Sequence, residues 1–189
     1  MKEHPILFSG PMVKAILEGR KTQTRRVVKD PAEFGCLTGD CPHETQIACD
    51  VAIANYGLYE CPYGRIGDRL WVRETWAWAG IASMPPSETY KQFLVYTTEG
   101  EDPLAQWRPS IHMPRWASRI TLEVTDVRVQ LLSQITLKDA IAEGVEYDVS
   151  QPDGWPIERF HKLWDYLNAK RGFGWSTDPW VWAITFKRL

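Results

Sequence analysis

The chain has no cysteine pair with a two-residue gap, no long apolar run and no compact group of acids and histidines. Its four cysteines are Cys36, Cys41, Cys49 and Cys61. No two of them have the tight two-residue gap that lets one turn present two thiolates, so the strong form of a structural zinc motif is missing. A zinc knob that also uses His43 stays open beside the plainer reading of unpaired thiols. No stretch approaches the ~20 apolar residues of a membrane span, and the first residues lack the apolar core of a secretory leader. These absences predict a cytoplasmic protein with reduced thiols and no membrane partner. The lack of an Asp, Glu and His cluster argues against a site for a hard metal ion. No cofactor and no metal are expected. Lys and Arg are absent from residues 30 to 64, and the net charge of the 189 residues is only −2. A long nucleic-acid track would need more positive charge than that.

What the chain does have is charge asymmetry and tryptophan. Residues 1 to 29 hold Lys2, Lys14, Arg20, Lys21, Arg25, Arg26 and Lys29 against Glu3 and Glu18 alone. Arg108, Arg115 and Arg119 form a second basic stretch. Two such segments on a near-neutral body imply a local anion site. Ten tryptophans fall largely beside Arg, Pro or Gly, in the stretches 70–78, 107–116 and 175–182. Flat rings beside guanidinium groups suit a flat, polar, anionic ligand such as a nucleotide. The competing reading is core filling, which large aromatics also serve.

The length predicts one domain spanning 1–189. Ile6-Leu7-Phe8 reads as a strand, and Ser9-Gly10-Pro11 opens a helix that Gly19 ends. Residues of about 30–66 and 79–118 read as two insertions. Between them, Leu70, Val72, Glu74, Trp76 and Trp78 share one face by alternation. Glu74 is therefore either a structural ion-pair member or a site residue. Residues 119–132 read as a long strand with a phase break near Thr125-Asp126, as a bulge would produce. Thr136 caps a short helix that carries Glu143 at its end, before Gly144. A second helix runs from near Pro156 to about Lys170, with Ile157, Phe160, Trp164 and Leu167 inward. The closing strand, 180–186, is apolar on both faces.

The segment Gly19-Arg20-Lys21-Thr22-Gln23-Thr24-Arg25-Arg26 resembles the signature of the ASCH domains, a branch of the PUA-like superfamily. That signature is a glycine, one residue, a lysine, two residues, a threonine and a nearby arginine. Gly67-Asp68 before a strand, the helix ending in Glu143-Gly144 and the final strand also fit. The whole chain is similar to the longer branch carried by phages and prophages. The resemblance implies an α+β fold: a small PUA-like mixed β-barrel flanked by helices, here with two insertions. It also implies a cleft facing RNA or a nucleoside. Small bacterial members hydrolyse the acetyl amide of 4-acetylcytidine with a lysine, a threonine and a glutamate. These would be Lys21, Thr24 and Glu143 here, with Arg26 as the signature arginine.

Amide hydrolysis needs a nucleophile, a proton acceptor and a donor for the oxyanion. Lys21, crowded by Arg25 and Arg26, is the expected base, since desolvation and nearby cations lower a lysine's pKa. Thr24 is the nucleophile or the group that aligns a water, and Glu143 orients Lys21 or shuttles a proton. Arg26, Glu74, Trp76, Arg115, Trp116 and Trp175 are the expected substrate contacts. The expected partner is a modified nucleoside or RNA. Two other functions remain open: a non-catalytic RNA- or nucleotide-binding module, and a metal-dependent ribonuclease.

Overall fold

A computed structural model describes residues 1–29, 61–79, 86–87, 89, 94–100, 105–148, 150 and 155–189. Cys36, Cys41, His43 and Cys49 lie outside the described residues, as does most of the first expected insertion. Strand β1 (Glu3–Leu7) leads into helix α1 (Gly10–Leu17) and strand β2 (Gln23–Val27). Strands β3 (Arg69–Arg73), β4 (Trp76–Trp78), β5 (Leu94–Tyr96) and β6 (Thr121–Leu131) follow. Helices α2 (Leu137–Ala142) and α3 (Pro156–Asn168) precede the closing strand β7 (Trp180–Arg188).

The architecture is α+β. Five strands form one mixed sheet in the order β1-β3-β6-β7-β2, and β4 pairs with β5 in a separate ribbon. Only β1 and β3 run parallel. The sheet is not closed into a barrel, which corrects the expected architecture: β1 and β2 are its two edges. At one end these edges are bridged by a side chain, with Arg26 Nη2 donating to the Leu7 carbonyl at 2.6 Å. In β6 the register against β7 shifts between Val124 and Asp126. Thr125 is the extra residue, which moves the apolar positions on both sides of it onto a common face.

Strand β7 is the centre of the molecule because both of its faces are covered. Trp182, Ile184 and Phe186 enter a core with Ile6, Val13, Ile16, Leu70, Val72, Leu122 and Val124. Val181 faces the other way, into a second core with Leu132, Ala140, Phe160 and Trp164. Helix α1 therefore covers one face, and α2 and α3 cover the other. A third core gathers Trp76, Leu94, Tyr96, Met113 and Ala117. The expected single face from Leu70 to Trp78 is split between two of these cores. β3 ends at Arg73, and the chain leaves the main sheet at Glu74 before β4 begins.

Candidate functional site

Two helix ends and one strand entry build the site. At the end of α1, Gly19 takes φ +75°, a conformation that glycine alone reaches cheaply. The turn lets the backbone N–H groups of Arg20 and Lys21 both donate to Ala15 O, at 2.9 and 3.0 Å. Ser9 occupies the position before α1, but its hydroxyl makes no capping bond. Its carbonyl accepts from Val13 N instead, at 2.9 Å. At the start of α2, Thr136 Oγ1 accepts from Asp139 N at 3.1 Å, and Asp139 Oδ2 accepts from Thr136 N at 3.2 Å. This reciprocal cap fixes the short helix that ends at Glu143.

The two ends meet at Lys21, which bridges Glu143 in the backbone, while Thr22 N donates to Ala142 O at 2.8 Å. Lys21 precedes β2, so strict strand alternation does not govern its direction relative to Thr24. Gly144 makes the approach possible. A Cβ built there would lie 2.6 Å from Lys21 Cβ, and φ is +77°.

Lys21, Thr24, Arg25 and Glu143 are all buried. Lys21 Nζ donates to Gln23 O at 2.7 Å, Glu143 O at 2.8 Å and Glu143 Oε2 at 2.9 Å. All three ammonium donors are thus engaged. Arg25 Nη1 donates to Glu143 Oε1 at 3.0 Å and to Gln23 Oε1 at 2.6 Å. Its Nη2 lies 3.3 Å from Asp139 Oδ2, and its Nε has no acceptor among the described residues. Burial lowers the Lys21 pKa; Glu143 opposes that shift, and Arg26 and Arg25 add to it. Burial would raise the Asp139 pKa, but Thr136, Gln23 and Arg25 hold it well below the usual carboxylate range.

These groups open onto a cleft of about 390 Å³ lined by Lys21, Thr24, Arg25, Arg26 and Glu143. Thr24 Oγ1 makes no hydrogen bond among the described residues. The aromatic wall consists of Phe8, Tyr63, Phe160, Trp164 and Phe173. Arg26 lies over the Phe8 ring at 5.2 Å and Lys21 Nζ at 5.4 Å. Tyr63 and Ser110 bring both expected insertions to the cleft.

The other expected contacts lie elsewhere. Glu74 is buried against Arg119, with Arg119 Nε to Glu74 Oε1 at 2.9 Å and Nη2 to Oε2 at 3.0 Å. Thr98 Oγ1 also donates to it, at 3.1 Å. This is the structural ion pair of the two readings given for Glu74. Trp76 fills the third core and meets Trp116 edge to face at 6.0 Å. Arg115 pairs with Glu3 at the surface, at 2.7 Å. Trp175 packs on the second core and stacks on His161 at 4.6 Å. None of the five lines the cleft. For Trp76 and Trp116 the reason is the chain's departure from the main sheet at Glu74, which carries them to the third core.

Phe8, Tyr63, Asn168, Arg171 and Phe173 line the cleft without having been singled out by the sequence. Asn168 had a usable signal: it extends the buried α3 stripe of Phe160 and Trp164 by one more step of four. Cys61 is buried in the first core, and burial pushes its thiol up to about 11, so it stays protonated. Among the described residues no three His, Cys, Asp or Glu side chains group to hold a metal, and no helix is long and apolar enough to cross a membrane.

No protein-family model matches the chain, and no curated protein matches it. Among solved structures, the chain is similar to an ASCH domain from Lactobacillus crispatus JV V101. The match covers 99% of this chain and 79% of that chain, at 12% identity and a TM-score of 0.45. A likeness of that degree carries no argument about activity or ligand.

Proposed function

We propose that the cleft binds a modified nucleoside, free or within RNA, and hydrolyses an acyl amide on its base, with 4-acetylcytidine as the reference substrate. The observation that carries this reading is the buried contact of Lys21 with Glu143 beside Thr24, at the foot of an aromatic-walled cleft. A lysine in such surroundings is far more readily deprotonated than one in water.

The resting pair is an ion pair, because Nζ donates in three directions. Base chemistry therefore begins with transfer of one ammonium proton to the Glu143 carboxylate, 2.9 Å away. The freed amine accepts a proton from Thr24 Oγ1, or from a water that Thr24 aligns, as the oxygen attacks the acyl carbon. The amide C–N bond then breaks, and the exocyclic nitrogen leaves with the proton that Glu143 holds. With Thr24 as nucleophile, a water completes the cycle by releasing acetate from the ester. The Arg25 guanidinium supplies the positive field for the oxyanion. Arg26 and Phe8 hold the ring by stacking.

One observation favours a second reading, a binding module without chemistry: the saturated Lys21 amine offers no lone pair in the resting structure. A panel of modified nucleosides incubated with the protein and read by mass separates the two. Loss of 42 mass units (one acetyl replaced by hydrogen, on the order of one small group) from an acetylated base, abolished in Lys21→Ala and Thr24→Ala, supports hydrolysis. No turnover together with salt-dependent RNA binding supports the module.

A further inference from the structure

Charge is unevenly balanced along the depth of the cleft. Among the described residues that line it are five cations, Lys21, Arg25, Arg26, Lys29 and Arg171, and one carboxylate, Glu143. The two inner cations, Lys21 and Arg25, are neutralised by Glu143 and, behind the wall, by Asp139. None of the outer three forms an ion pair among the described residues. Arg26 is half-buried and spends one donor on the Leu7 carbonyl. Lys29 and Arg171 are exposed, and neither forms an ion pair among the described residues. Burial is the main cause disfavouring the Arg26 charge; Tyr63 and Glu143 oppose it, and Arg171 adds to it.

This concentration is not a by-product of general basicity, since the chain carries a net charge of −2. Like charges gathered at one rim repel each other, and a low-dielectric wall strengthens that repulsion. The Phe8 ring lies under Arg26, so the rim adjoins the surface on which a flat base would stack. A phosphate attached to the sugar of that base is the group that meets both demands: it carries the opposite charge, and it presents several acceptors to guanidinium and ammonium donors.

Resting on the reading that the cleft holds a nucleobase, we propose that Arg26, Lys29 and Arg171 form a phosphate subsite at its mouth. The ligand is then a phosphorylated nucleotide rather than a neutral nucleoside. The phosphate comes either from a mononucleotide or from an internal linkage of RNA.

The test is calorimetric binding to the full chain at fixed, near-physiological salt. The probes are the common nucleosides and 4-acetylcytidine, their 5′-monophosphates, and a trinucleotide lacking terminal phosphates. The proposal predicts that the best monophosphate or the trinucleotide binds at least about tenfold tighter than the best nucleoside, as charge-assisted phosphate contacts provide. In the double variant Lys29→Ala/Arg171→Ala the margin falls to about twofold or less, with nucleoside binding and melting temperature retained. Preference for the trinucleotide assigns the phosphate to RNA, and preference for the monophosphate assigns it to a free nucleotide. A nucleoside that binds as tightly as its phosphate, or a margin that survives the double variant, overturns the subsite and leaves the base-binding reading standing. No binding of any probe overturns both.

Discussion

Lys21 Nζ and Glu143 Oε2 are 2.9 Å apart although 122 positions separate them in the chain. Glu143 is shared: its other oxygen accepts from Arg25 at 3.0 Å. The carboxylate thus sits between two buried cations, and its loss and the loss of either cation are not equivalent.

Removal of the carboxylate in Glu143→Ala leaves Lys21 buried without a counter-charge and Arg25 with Asp139 alone, which costs on the order of 3–5 kcal/mol. Lys21→Met is milder, because Arg25 still neutralises Glu143 and the methionine fills the lysine's volume. Urea denaturation of both variants is expected to rank Glu143→Ala as the less stable, and the opposite ranking contradicts the shared-carboxylate arrangement.

The pH dependence follows from the lowered Lys21 pKa. The reaction uses the one proton that Lys21 and Glu143 share, so hydrolysis falls at high pH as Lys21 loses it, with the fall centred below the ordinary lysine value of 10.5. Glu143 raises the Lys21 pKa, so Glu143→Gln shifts the falling limb of any residual rate to lower pH. For stability the sign is opposite. The unfolded chain holds the Lys21 proton more tightly, so the penalty is full at pH values below the folded pKa. It is relieved as pH climbs from there toward 10.5. Asp139 acts at the other end: its lowered pKa stabilises the fold above about pH 4, and that contribution is lost as pH falls further. Acetate-release rates and melting temperatures across the pH range read both effects.

Gly144 separates packing at the site from helix-end effects in general. Gly144→Ala forces a Cβ to 2.6 Å from Lys21 Cβ at φ +77°, and it is expected to cost on the order of 1–3 kcal/mol and to displace the amine. Gly10→Ala meets nothing within 4 Å and has a negative φ, so its effect is expected to be small. Paired melting curves check the contrast.

The Glu74–Arg119 pair is expected to matter for stability and not for turnover. Arg119→Ala leaves a buried carboxylate with only Thr98 to bond it, at a cost of ~3 kcal/mol. The rate per folded molecule stays near that of the parent chain. A large fall in that rate in well-folded protein would tie Glu74 to the cleft after all.

Local chemistry made the frame of the site readable in the sequence. Gly19 and Gly144 mark helix ends, Thr136 marks a helix start, and the phase break near Thr125 marks the bulge. Each is a property of a few adjacent residues. The meeting of Lys21 with Glu143 is a long-range contact that spacing cannot encode, and only the resemblance brought the two together. Trp76, Trp116 and Trp175 lie away from the cleft, and for the first two the reason is physical. Alternation continues from Leu70 to Trp78 without a visible break, although the chain changes sheet at Glu74. Both halves are apolar, so the pattern does not say which core each half enters. Phe8 and Phe173 line the cleft from loop and strand-end positions, where no periodic pattern reports direction.

The most direct measurement is acetate release from an acetylated nucleoside by the parent chain, Thr24→Ala and Lys21→Met, each checked for folding by its melting temperature. Turnover by the parent and a loss of at least about a hundredfold in both variants is the expected result, since each removes a group that acts in proton transfer or bond formation. Equal turnover in a folded Lys21→Met variant, or none by the parent chain on any acylated base, would contradict the account.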